Sequence, residues 1–289
     1  MRVFLLGAGA SAATLGCHRA PVSANFGATL TAQIPAWPEQ YPFLQAATVY
    51  LQNQSDIGEN WRLDEVWNGI DENYKLRGII GNAAFYWPAH IPGGKRLYAQ
   101  HPYPSWDSFW VLAGWELKRA LADIYGVRLQ PVLQHQGLPN SCLAQQIQQV
   151  QPDDVLAITN YDLLAEGVAR LTWRHTNNCL RAAELHARGP DQGPLILKLH
   201  GSLDWVFRSS WITNQNRVDR TPGGAPIADV AIDLDQNFWE TRPLVVAPVR
   251  YKDEIVFPNA QPAELVEVLN FQWETFLNAV ARADELQVF

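Results

Sequence analysis

Four short apolar runs punctuate the chain, and each ends in polar or turn-forming residues: Val3 to Leu6 meets Gly-Ala-Gly-Ala-Ser, Val155 to Ile158 meets Thr-Asn-Tyr-Asp, Leu195 to Leu199 meets His-Gly-Ser, and Leu244 to Val246 meets Ala-Pro. Runs of this length bounded by turn signals predict strands buried on both faces, the pattern of a parallel sheet covered by helices. Helical spacing fills the gaps. DSFWVLAGWELKRALADIYG repeats apolar positions at helical intervals, with Asp107 or Ser108 as the predicted N-cap, and PAELVEVLNFQWETFLNAVARA reads the same way. Residues 208–235 are polar, contain Gly and Pro, and predict a loop or short hairpin.

These elements place the chain in the α/β class, as a doubly wound, Rossmann-like parallel sheet whose carboxyl ends open on a ligand crevice. From Trp37 to Trp115 the pattern changes: WPEQYPF, YWPAHIP and YPSWDSFWVLAGW mix aromatics with prolines. This stretch predicts a helical, aromatic-rich insertion at about 36–139 whose rings pack against one another rather than form a binding wall. The closing ADELQVF begins another strand and stops within it, so the 289 residues are expected to be the N-terminal part of a longer chain. There is no internal repeat and no low-complexity segment.

Composition narrows the picture in three respects. With 47% hydrophobic residues the chain can bury a large core, and no apolar run approaches the roughly 20 residues that cross a bilayer. A net charge of -7 without a long basic cluster argues against direct nucleic-acid binding. Cys17, Cys142 and Cys179 are widely spaced with no CxxC pair, which predicts reduced thiols in the cytoplasm and no structural zinc. The opening MRVFLLGAGAS has the arginine and apolar run of an export signal, but glycines break the run after four residues, and a strand meeting a phosphate-binding turn suits it better.

Gly7-Ala8-Gly9 alone is a weak motif because the third glycine of the dinucleotide fingerprint is missing. Its weight comes from company. If the strands are parallel, the glycine loop, Asn160 with Asp162, and His200-Gly201-Ser202 converge on one edge of the sheet, joining a phosphate cradle, an amide, a carboxylate and an imidazole. Each has a plainer reading: Asn160 and Asp162 as turn residues bonding their own backbone, His200 as a satisfied core histidine, and Ser11 as a helix cap.

GAGAS at 7–11, TNYDLLAE from Thr159 and LKLHGSLDW from Leu197 resemble the sirtuin superfamily, most closely the sirtuin-like domains of bacterial antiphage defence proteins. PLVVAPVRYKDEIVFP and FQWETFLNAVARADELQVF look like the same family's last strand, loop and helix, so the resemblance covers most of the chain outside the aromatic insertion. It implies a domain that binds NAD. Gly7, Ala8, Gly9 and Ser11 would then line the dinucleotide and nicotinamide-ribose pocket, with Thr159, Gly201 and Ser202 beside them. Asn160 and Asp162 would contact the ribose and nicotinamide, and His200 would be the catalytic base.

Two departures redirect the chemistry. The four zinc-binding cysteines of sirtuin deacylases are missing, and no Arg follows Phe26 where a deacylase would carry one. Acyl-lysine chemistry is therefore disfavoured, which leaves NAD as the substrate and water as the acceptor, with no metal. Cleaving the nicotinamide-ribose bond develops cationic character at the anomeric carbon, and the leaving ring is already activated by its charge. Backbone N–H groups at a helix N-terminus can hold the pyrophosphate, Asn160 can orient a hydroxyl or water, and an imidazole can take a proton near neutral pH. The expected activity is NAD glycohydrolysis, a toxic effector step in abortive infection. It would be held in check by homo-oligomerisation or by a defence partner such as a short Argonaute or an ATPase. A regulatory NAD or ADP-ribose module without turnover, and a deacylase or ADP-ribosyltransferase, are the alternatives.

Overall fold

The computed structural model describes residues 1–7, 10, 23–54, 56–75, 87–100, 102, 105–133, 138–160, 162–173, 177–179, 182–186, 193–202, 205–209, 228–232, 244–245 and 263–289. In chain order they form β1 (Arg2–Leu6), α1 (Phe26–Gln33), α2 (Trp37–Gln40), α3 (Pro42–Asn53), α4 (Leu63–Lys75), α5 (Gly94–Gln100), α6 (Trp106–Leu133), α7 (Cys142–Ile147), β2 (Val155–Ile158), α8 (Leu164–Thr172), β3 (Asn177–Asn178), α9 (Ala182–His186), β4 (Leu195–Lys198), β5 (Gly201–Ser202), β6 (Trp205–Ser209), β7 (Ala228–Ile232), β8 (Leu244–Val245), α10 (Ala263–Arg282) and β9 (Glu285–Val288). Two compact units result: Met1–Ala20, Tyr125–Val246 and Pro262–Phe289 make one, and Pro21–Ile124 with Ala247–Gln261 make the other.

The first unit is built on a five-stranded sheet of order β3-β4-β2-β1-β9, in which every neighbouring pair is parallel. From β1 the chain moves to β2 on one side and ends at β9 on the other. Alternation along the strands explains why both faces are buried. Phe4, Leu6, Leu156, Ile158 and Ile196 pack against Leu143 and Ile147 of α7 and Leu164 and Val168 of α8. Val3, Val155, Ala157, Leu195 and Leu197 point the other way and meet Phe276 and Ala279 of α10.

Arg2 extends β1 one residue beyond the apolar run because Asp154 holds it: the carboxylate accepts the Arg2 backbone N–H at 2.6 Å and its guanidinium at 2.7 and 3.1 Å. Burial by itself would raise the Asp154 pKa. The N–H groups of Gln151 and Arg2 and the guanidinium outweigh it and hold the carboxyl below its usual range.

One strand differs from expectation. Leu244–Val245 pairs antiparallel with β5 in a separate two-stranded sheet rather than joining the parallel one. Gly201, at φ +78°, turns the chain just past β4 and offers the backbone of Gly201 and Ser202 to this partner. Within 208–235 the described residues make an antiparallel pair of β6 with β7, the hairpin alternative, and the stretch between those strands lies outside the described residues.

The second unit is helical and aromatic. Trp87, Phe109 and Trp110 are fully buried, and their rings meet at 5.0 Å, tilted for Trp87 with Phe109 and edge-on for Phe109 with Trp110. Tyr50 and Trp106 extend the cluster edge-on at 5.9 Å. Each such pair adds about 0.5–1.5 kcal/mol beyond the area it buries. α6 starts two to three residues earlier than predicted because Ser105 is its cap, accepting the Ser108 N–H at 3.3 Å. Glycine at position 27 is required by packing: a Cβ there would lie 2.8 Å from the Trp61 ring.

Two acids of α6 are drawn inside this unit. Glu116 accepts the Leu44 N–H at 2.7 Å in the first turn of α3, and burial pushes its carboxyl up to about 8. The Tyr41 hydroxyl donates to Asp123, and burial raises the pKa of both. Among the described residues, no helix is long and apolar enough to cross a membrane.

Candidate functional site

Parallel register puts Leu6, Ile158 and Lys198 on one level of the sheet. Asn160 and His200 therefore each follow two residues after a paired position of neighbouring strands. The ladder continues into these ends: Thr159 N–H donates to Leu6 O at 3.0 Å, Leu199 N–H to Ile158 O at 2.9 Å, and Gly7 N–H to Phe289 O at 2.9 Å. The Thr159 hydroxyl adds a second bond to Leu6 O at 3.2 Å, so its position is structural.

Asn160 reaches across to the first loop. Its Nδ2 donates to Gly7 O at 3.0 Å, and the same carbonyl accepts the Ala10 N–H at 3.0 Å. Gly7 is also held tightly on its other side, where a Cβ would come within 3.3 Å of Phe289 O. The amide predicted to serve catalysis and the glycine predicted to open the phosphate loop are thus joined directly.

Asp162 is buried at 4% exposure, and its Oδ1 accepts the Leu164 N–H at 3.0 Å at the start of α8. This is the turn-residue role, and it uses one of the two carboxylate oxygens. The Asp162 carbonyl accepts the Lys198 ammonium at 2.7 Å, and the same ammonium pairs with Glu166 at 2.8 Å, with side chains only 1% and 2% exposed. The backbone of Lys198 is held from the other direction. Its N–H donates to Gln272 Oε1 at 2.9 Å, while Gln272 Nε2 donates to Cys179 O, so a side-chain amide continues the sheet where β3 stops.

His200 is buried at 6% exposure with its ring 6.2 Å from that of Trp273, inclined at 64°. Trp273 is itself fixed by donating its indole N–H to Leu199 O at 2.8 Å. Beyond Gly201, Ser202 is wholly buried, and its hydroxyl has no hydrogen-bond partner among the described residues. A buried hydroxyl left unmatched costs about 1–3 kcal/mol, so it favours any polar ligand group that reaches it.

Ala8, Gly9 and Ser11 lie outside the described residues, as does Cys17. Gly7, Thr159, Asn160, Asp162, His200, Gly201 and Ser202 are all described, and all belong to the sheet unit. A groove of about 500 Å³ lies elsewhere, in the helical unit, lined by Gly27, Trp37, Gln45, Asn60 and Trp61 among others, and it contains none of the predicted residues.

Sequence reasoning passed over Lys198, Glu166, Gln272 and Trp273. A signal for the first existed: one cation inside the apolar run LILKL must be either exposed or paired, and burial on both sheet faces leaves only pairing. No family model matches this chain, and no curated protein matches it.

Proposed function

We propose that the sheet unit binds NAD at the carboxyl ends of β1, β2 and β4 and hydrolyses its nicotinamide-ribose bond. The observation that carries this reading is the 3.0 Å bond from Asn160 Nδ2 to Gly7 O, with His200 at the matching position of the next strand. In a doubly wound, Rossmann-like sheet the ligand lies where the strand order reverses. The order β3-β4-β2-β1-β9 reverses at β1, beside Gly7, and helices cover both faces, which supports that fold for this unit.

In the reaction, the bond from the anomeric carbon to the pyridinium nitrogen breaks, and its electron pair neutralises the ring. Water forms the new bond to that carbon, and His200 takes the proton and passes it to solvent, giving nicotinamide, ADP-ribose and H⁺. Asn160, held by Gly7, orients a ribose hydroxyl or the attacking water. Asp162 shapes the loop that carries Asn160 and keeps one oxygen for the nicotinamide side. The Ser202 hydroxyl takes a polar group of the ligand. Unrestrained NAD loss would be toxic, which is the basis for placing the activity in a regulated antiphage effector governed by self-association or a defence partner.

The test is incubation with NAD, with nicotinamide and ADP-ribose quantified by chromatography, for the wild type, Asn160→Ala and His200→Ala. Each substitution is expected to lower turnover by about 10²–10⁴-fold with the fold intact by circular dichroism. Wild-type turnover unchanged by both substitutions, or tight NAD binding without release of nicotinamide, would overturn the proposal.

A further inference from the structure

We infer that Lys198 is a positioning residue for the site, clamping the loop after β2 so that Asn160 keeps its place beside His200. The inference rests on the hydrolytic reading for its catalytic consequence, but the clamp itself stands on geometry. Lys198 is the last residue of β4, and His200 follows two positions later. Its side chain turns to the α8 face and, at 1% exposure, donates 2.7 Å to the carbonyl of Asp162 and meets Glu166 at 2.8 Å. One ammonium thereby ties three things together: the strand that delivers His200, the loop that delivers Asn160, and the first turn of the helix that follows.

A buried ion pair is a poor choice for stability alone, since apolar residues of similar volume usually do as well. This one has a property that apolar residues lack. Besides its carboxylate partner, the ammonium grips a backbone carbonyl two residues from Asn160 and fixes that loop in one register relative to β4. Asp162 completes the restraint from inside the loop by accepting the Leu164 N–H, and Gly7 O receives the Asn160 amide at the far side. Asn160 is thus held between two fixed points, and Lys198 supplies the one that comes from the strand carrying His200.

Two variants test this. Lys198→Met/Glu166→Leu removes both charges together and leaves neither ion unpaired, while Glu166→Gln keeps an acceptor and leaves the Lys198 to Asp162 bond in place. The first readout is amide hydrogen exchange of Asn160 and Asp162, which needs no NAD. The double variant is expected to exchange at least about 10-fold faster there, with the protection of β1 and β2 retained. The second readout is NAD turnover: kcat should fall about 100-fold in the double variant with KM within about threefold, whereas Glu166→Gln should keep kcat within about threefold of wild type. Unchanged loop exchange in the folded double variant would overturn the clamp, and so would an equal loss of kcat in Glu166→Gln. Should the double variant fail to fold, Lys198→Gln is read in its place by the same exchange measurement, and loop exchange unchanged from wild type again overturns the clamp. A wild type that never cleaves NAD defeats the hydrolytic reading and leaves the exchange result to judge the clamp.

Discussion

Both units bury ionisable groups, and they solve the problem in opposite ways. In the sheet unit two buried acids meet a cation, Glu166 with Lys198 and Asp154 with Arg2, while Asp162 accepts a backbone N–H. In the helical unit Glu116 and Asp123 are met by a backbone N–H and a tyrosine hydroxyl, with the charge of Arg119 only easing their burial. At Asp154 the bonds from Gln151 and Arg2 outweigh burial and hold the carboxyl low, whereas at Glu116 and Asp123 burial outweighs the donors and drives the carboxyl towards the protonated form. The lesson concerns use as much as stability: an ion pair fixes the spacing of the backbone segments that carry it, while a neutralised acid fills space and caps a helix.

The largest effect should come from breaking the paired solution. Lys198→Met alone removes the ammonium that Glu166 meets at 2.8 Å and should cost about 3–5 kcal/mol in urea denaturation. A loss under about 1 kcal/mol would mean that water reaches the pair and that the contrast between the units is false. Next in size is the pH response. Glu116 has a folded pKa of about 8, above the ordinary carboxylate value, so the folded chain binds the extra proton between the two. The stability it contributes is whole below the ordinary value and declines as pH rises towards 8. Asp154 runs the other way, its contribution being present at neutral pH and lost as pH falls through its lowered value.

Thermal unfolding between pH 4 and 9 should therefore show Glu116→Gln losing the decline towards alkaline pH, a difference on the order of 2 kcal/mol across the window. Parallel profiles for the variant and wild type would contradict the raised pKa. The smallest effect belongs to the sheet unit's exception, Ser202, whose buried hydroxyl has no partner among the described residues. Ser202→Ala should change stability by no more than about 1 kcal/mol in the absence of NAD, and in either direction. A larger loss would show that the hydroxyl is satisfied within the protein and not available to a ligand.

How far the sequence disclosed this arrangement depended on what an apolar pattern can report. β1, β2 and β4 were readable because strands buried on both faces are apolar almost throughout. β3 escaped because its two residues are asparagines, which carry no apolar signal although they pair with Leu195 and Ile196 of β4. Leu244–Val245 was readable as a strand but not in its partner or direction, since hydrophobicity reports burial and says nothing of which edge is free. At the site, Asn160 and His200 stood out because parallel strands bring their polar ends and the glycine loop to one edge of the sheet. The clamp did not, because Lys198 and Glu166 are 32 positions apart and only the fold shows that their charges cancel.

The position of β1 has a consequence for the timing of synthesis. Its two neighbours are β2 and β9, whose partners in register are Val3 with Val155 and Arg2 with Glu285. At 5–20 residues per second, the ribosome needs roughly 15–60 s after making β1 to deliver β9. The first strand made is thus a central strand of the finished sheet, with both edges unpaired while the helical unit is translated. Such edges are templates for wrong pairing. Newly made chains should depend on holding chaperones during that interval, and a pause engineered before β2 should lower the soluble yield more than one placed after β9.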